Sequence, residues 1–155
     1  MSRFEHLRLR QLDSALAPFS DTREVDRPER GWIRAIREAL GMSLRQVAER
    51  AGVSKTTVAA LERSEAADSI QLSSLRAMAE ALEGELVYAL VPRRSLERTV
   101  RRRARRLAEQ RVERVSQSME MEDQGIPDSE RRRQVRELAD RLWEEMPKEL
   151  WDELF

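Results

Sequence analysis

Between Gly41 and Arg63 the chain reads GMSLRQVAERAGVSKTTVAALER, and no other stretch restricts the fold as tightly. Ser43 is placed to cap a helix whose inward residues, Leu44, Val47, Ala48 and Ala51, recur at helical spacing until Gly52 closes it. Ser54 then caps a second helix, with Val58 and Leu61 as its inward anchors. So tight a corner, with small residues at the crossing, holds two short helices at a steep angle. On one side, Trp32, Ile33, Ile36 and Leu40 mark a helix closed by Gly41. On the other, a fourth helix capped by Ser73 carries Leu75, Met78, Ala79 and Leu82 and ends at Gly84.

The rest of the chain points to a mainly α protein. Its 155 residues leave room for one ordinary domain or two small ones. With 37% charged residues, 5% aromatics, five Gly and five Pro, helix is the default state. The absence of cysteine excludes disulfides, thiolate metal sites and cysteine nucleophiles. The first ten residues are interrupted by Arg3, Glu5, His6, Arg8 and Arg10, and no stretch approaches the length of a membrane span. A soluble, cytoplasmic protein is expected.

Four segments follow from the pattern. Residues 1–30 form an N-terminal helical arm carrying Phe4, Leu7, Leu9, Leu12, Leu16 and Phe19, ended by Pro18 and the polar run from Ser20 to Arg30. Residues 31–84 are the compact four-helix block. Residues 85–92 read as a β-strand, apolar on both faces and stopped by Pro92. No stretch of the chain offers it a partner strand. Pairing with the same strand of a second copy, through Leu86, Val87, Tyr88 and Leu90, is therefore the leading expectation, and capture by another protein is the alternative.

Residues 93–155 are helical. One helix is predicted from Ser95 to about Asp123, with Leu96, Val100, Ala104, Leu107, Ala108, Val112, Val115 and Met119 as its stripe. Gln124 to Pro127 breaks it, and Asp128 or Ser129 caps another helix striped by Val135, Leu138, Leu142 and Met146. Pro147 ends that helix before the tail of Leu150, Trp151, Leu154 and Phe155. Trp143, Trp151 and Phe155 are either partner anchors or core. Net charge is zero, yet residues 93–114 hold ten Arg against three Glu, and residues 115–155 hold twelve acids against six bases. Such asymmetry implies separate partners for the two stretches, although a run like Arg101-Arg102-Arg103 equally describes a solvated helix face.

The two helices around Gly52 form a helix-turn-helix, in which one helix lies across the DNA backbone and the next enters the major groove. The run from Gly31 to Leu82 closely resembles the XRE (Cro/C1-type) repressor family. Lys55, Thr56, Thr57 and Ala60 point away from Val58 and Leu61, and with Ser54 they are assigned to base and phosphate contacts. Lysine reaches guanine O6/N7 or a phosphate, threonine does either, and an alanine methyl meets a thymine methyl. Arg45, Gln46 and Arg63 are candidate backbone contacts. The family often places a glutamine at the start of both helices; here Leu44 and Lys55 stand there, and Ser64 replaces its glycine.

Residues 115–146 resemble the inhibitory antitoxins of Fic enzymes, whose motif is Ser/Thr-x-x-x-Glu followed by Gly or Asn. The candidate motif is Ser118, Glu122 and Asp123. Ser20/Glu24 and Ser116/Glu120 share the spacing, but only Ser118/Glu122 lies near a helix end and on a face shared with positions 115 and 119. The resemblance implies a glutamate that enters the ATP site of a Fic-domain toxin and pairs with its phosphate-binding arginine. Through LRLRQLD, GWIRAIREALGMS, LVYALVP and SMEMEDQ, the whole chain resembles the mobile mystery protein A family, found beside a Fic-domain companion.

Catalysis is not expected, nor is a cofactor or metal. His6 is the sole histidine, placed in a mobile arm as a surface residue, and no phosphate loop or nucleophile with a base is visible. Two functions remain. One is a homodimeric antitoxin that binds double-stranded DNA at its own promoter and neutralises a Fic-type AMP-transferase. The other is a plain dimeric repressor whose C-terminal helices serve oligomerisation or effector sensing.

Overall fold

Wherever an apolar stripe recurs at helical spacing, the backbone is helical. The computed structural model describes residues 2–120 and 125–152. In chain order the helices are α1 (Ser2–Leu16), α2 (Trp32–Ala39), α3 (Leu44–Ala51), α4 (Lys55–Ala66), α5 (Leu72–Ala81), α6 (Leu96–Glu120) and α7 (Asp128–Glu145). Two 3-10 segments, Ala17–Glu24 and Lys148–Trp151, complete the regular structure of the described residues. The fold is mainly α, as expected. Contacts divide the chain into one unit of Asp21–Ala89 and another of Met1–Ser20 with Leu90–Phe155.

The unit of residues 21–89 is built around Ile33, Val47, Ala48, Val58, Met78, Ala81 and Leu82, with Leu44, Ala51, Leu61 and Leu75 packed against them. Val47 and Val58 are fully buried, so the crossing of α3 and α4 excludes water. The second unit joins α6 and α7 over Val100, Ala104, Leu107, Ala108, Leu142 and Leu150, with Leu9 of α1 against the same cluster. Asp13 of α1 accepts from the backbone N–H groups of Leu96 (2.6 Å) and Glu97 (3.2 Å), satisfying two orphan donors at the start of α6.

Several expectations need correction. Among the described residues there is no strand, and 84–92 has no regular structure in this single chain. A ladder needs a partner, and no described segment pairs with this one. Gln71 rather than Ser73 precedes α5, without a side-chain cap, and Pro127 rather than Asp128 or Ser129 precedes α7. Proline suits a helix start because a first-turn N–H has no partner there anyway. The buried stripe of α6 continues from Val112 to Ser116, leaving Val115 56% exposed and Ser118 exposed. Beyond Ala108 the buried positions advance by four residues, to Val112 and then Ser116.

His6 is likewise no free surface residue. Its ring stacks on Trp143 at 4.2 Å, its Nε2 lies 2.9 Å from the Trp143 carbonyl oxygen, and the Arg101 guanidinium sits 4.1 Å from the Trp143 ring centre. Trp143 thus packs within the second unit, whereas Trp151 is exposed.

Candidate nucleic-acid interface

The α3–α4 pair is fixed at both ends by its own side chains. Ser43 Oγ accepts from the Gln46 N–H at 3.2 Å while Gln46 Oε1 accepts from the Ser43 N–H at 2.8 Å, a complete capping box. Gly52 closes α3 in the left-handed region, with φ 67°, and the Val53 N–H donates to the Ala48 carbonyl at 3.0 Å. An L side chain at 52 would strain this corner, which is why glycine stands there. Ser54 then caps α4 by accepting from the Thr57 N–H at 3.1 Å.

That cap orders the surface expected to meet DNA. Ser54 Oγ lies 2.9 Å from Thr56 Oγ1 and 2.7 Å from Thr57 Oγ1, so three hydroxyls gather at the first turn of α4. Ser54, Lys55, Thr56, Thr57, Ala60 and Arg63 are all exposed, while Val58 and Glu62 on the opposite face are buried. Arg45 and Gln46 on α3 are exposed as well. Arg45 makes an exposed ion pair with Glu49 at 3.2 Å, and Gln46 uses its Oε1 in the cap, leaving the amide NH2 for a phosphate.

Sequence reasoning missed what holds this surface in place. Arg37 of α2 donates to both carboxylate oxygens of Glu62 on α4 (2.6 and 3.2 Å) and to the Met42 carbonyl at 3.1 Å. Arg37 and Glu62 side chains are only 11% and 8% exposed, so the pair is a buried bolt between α2, the turn before α3, and α4. The Glu62 hydrogen bond holds the Arg37 pKa above the ordinary arginine value.

Glu65 is buried one turn further on, and its carboxylate accepts from the N–H groups of Trp32 (2.7 Å) and Ile33 (2.8 Å). It caps α2 from a distance, and Gly31, at φ 85°, leaves the space: a Cβ there would lie 2.7 Å from Glu65 Oε2. One signal was present in the sequence. Glu62 and Glu65 share the inward face of Val58 and Leu61, and buried carboxylates demand partners.

Beside α4, the side chains of Arg30, Arg34, Arg37 and Arg63 line a cleft of about 370 Å³ with Leu44, Ala59 and Glu62. Arg30 and Arg34 were not singled out from the sequence. They place added positive charge next to the expected backbone contact Arg63, and Arg34 also holds Glu38 at 2.7 Å.

A family model described as helix-turn-helix matches residues 33–88. This segment is a helix-turn-helix domain. The match agrees with the XRE-type resemblance and supports a DNA-binding transcription regulator. No curated protein and no solved structure matches the chain. In the helix-turn-helix domain, Leu44 packs against the core rather than standing free for DNA, so the departure from glutamine removes a polar contact at the start of α3. Lys55 keeps a polar, long side chain at the start of α4.

Elsewhere, Ser118 is exposed, and its Oγ donates to the Arg114 carbonyl at 3.2 Å. Glu122 and Asp123 lie outside the described residues. No helix among the described residues is long and apolar enough to cross a membrane.

Proposed function

We propose that the chain is a cytoplasmic autoregulator and antitoxin. The helix-turn-helix domain binds duplex DNA at the chain's own promoter through α4, the segment 85–92 joins two copies, and the end of α6 delivers Glu122 into the ATP site of a Fic-type AMP-transferase. The observation that carries the DNA half is the exposed Lys55-Thr56-Thr57 turn, ordered by the Ser54 cap on a frame bolted through Arg37 and Glu62. Donors held in one geometry lose less entropy when they meet base edges.

The antitoxin half rests on the resemblance of residues 115–146 to Fic inhibitors and on economy. A repressor needs the helix-turn-helix domain and a dimer contact, yet a second unit with its own core follows. Val115 and Ser118, which precede Glu122 in the expected stripe, are exposed. A carboxylate presented there substitutes for a phosphate in a bidentate arginine pair.

Binding of a labelled duplex from the upstream region tests the first half. Lys55→Ala and Thr56→Ala each weaken it, by about 1–3 kcal/mol where the side chain reads a base. Unchanged affinity in both variants refutes the assignment of α4. Co-expression with a neighbouring Fic protein tests the second half. Glu122→Ala loses neutralisation while retaining promoter binding; full protection by that variant leaves the plain dimeric repressor as the better reading.

A further inference from the structure

Resting on the DNA-binding reading, we infer that the N-terminal half of α6 is a second, sequence-independent DNA contact, in which Arg98, Arg102 and Arg106 neutralise backbone phosphates. These residues follow one another at four-residue steps on the exposed face of α6, opposite the row Val100, Ala104 and Ala108 that packs against α7. The row they form is about 12 Å long, at about 1.5 Å rise per residue.

What singles them out is the ion pairing around them. Of the three glutamates between Arg93 and Arg114, Glu97 holds Arg101 at 2.9 Å, Glu109 holds Arg105 at 3.0 Å, and Glu113 lies 3.7 Å from Arg131. The local carboxylates are committed to other arginines, and among the described residues Arg98, Arg102 and Arg106 have no ion-pair partner. The row ends where Glu109 and Glu113 reverse the sign of the same face. Three aligned, solvated guanidinium groups make a short polycation, and its complement is a polyanion.

Duplex DNA fits better than an acidic protein. Arginine is enriched at protein interfaces too, but there it stands beside buried aromatic or apolar anchors. From residue 98 to 106 the exposed positions are arginines and Thr99, with no exposed apolar side chain. A phosphate backbone asks only for charge and N–H donors, and guanidinium supplies both. The chain passes between the two units twice, after Ser20 and after Ala89, so DNA held by the helix-turn-helix domain is also at high effective concentration for α6.

The test titrates full-length protein against a random-sequence duplex that extends well past a helix-turn-helix footprint, over a series of salt concentrations. Glutamine keeps helix propensity, so the variant Arg98→Gln/Arg102→Gln/Arg106→Gln retains the wild-type circular dichroism spectrum. Its slope of log K against log salt becomes shallower by about 2–3, at about 0.9 per lost phosphate contact, and its low-salt affinity falls on the order of tenfold. The control Arg132→Gln/Arg136→Gln/Arg141→Gln, equally exposed and removing the same charge from α7, keeps the wild-type slope. A wild-type slope in the first variant overturns the inference, and so does an equal loss in the control, which reports net charge alone. Selective loss of polyglutamate binding with DNA binding intact assigns the row to an acidic polypeptide and overturns it too. If Lys55→Ala and Thr56→Ala fail to alter preference for the upstream sequence while the slope change persists, the α4 assignment fails and this contact stands.

Discussion

Arg37 and Glu62 show how much of the geometry of the α4 surface depends on side chains that are only 11% and 8% exposed. Both are buried, and together they join α2, the following turn and α4. Removing one partner strands the other charge away from water, so Arg37→Met costs about 3–5 kcal/mol. Replacing both, as Arg37→Met/Glu62→Met, costs less because no lone charge remains. Urea unfolding of the two variants checks this; a double variant as unstable as the single one removes the pair from its proposed role. Because the Glu62 hydrogen bond raises the Arg37 pKa, the guanidinium's contribution is complete below the ordinary arginine value and is lost only as pH climbs past the raised one. Glu38 runs the other way. Its carboxyl is held below the usual range by Arg34, so its small, solvent-screened contribution is present at neutral pH and fades on acidification.

At the scale of elements, α3, α4 and α7 were legible because each buries a stripe whose period the sequence displays, whereas α1 is helical although Phe4, Leu7 and Leu12 of its expected stripe are exposed. Val47 and Ala48, Val58 and Leu61, and Leu138 and Leu142 all lie on core faces as their spacing requires. Three things were not legible. Long-range caps such as Glu65 on α2 and Asp13 on α6 join residues 32 or more positions apart, and no local pattern announces them. The drift of the α6 stripe toward Ser116 is set by the α7 surface rather than by α6 itself. The strand expected at 85–92 is absent, because a ladder needs a second strand and no described segment lies beside this one. There Val87, Tyr88 and Leu90 are 66%, 62% and 87% exposed, a row of apolar area that water covers poorly. With a second copy as the cover, Tyr88→Pro removes a ladder donor and fixes φ, and sedimentation finds monomers. Dimers that persist unchanged in that variant exclude the segment as the dimer contact.

For the whole molecule, the order of the chain separates the two units unequally. Residues 21–89 are continuous and carry their own core, whereas the other unit is assembled from both ends, with α1 returning to cap α6 through Asp13 and to pack Leu9 against the α6–α7 cluster. Removal of residues 1–20 takes away two capped N–H groups, a half-buried leucine and the His6 ring stacked on Trp143, a loss on the order of 2–4 kcal/mol or more from the α6–α7 unit alone. Hydrogen exchange reads both units in one molecule: amides in α6 and α7 lose protection by that amount, and amides in α3 and α4 keep theirs. DNA binding by α4 then survives the deletion, since nothing that orders its first turn comes from α1. Equal loss of protection in both units means that the helix-turn-helix domain leans on α1 after all, and that cutting the arm disables DNA binding through the fold rather than through a contact.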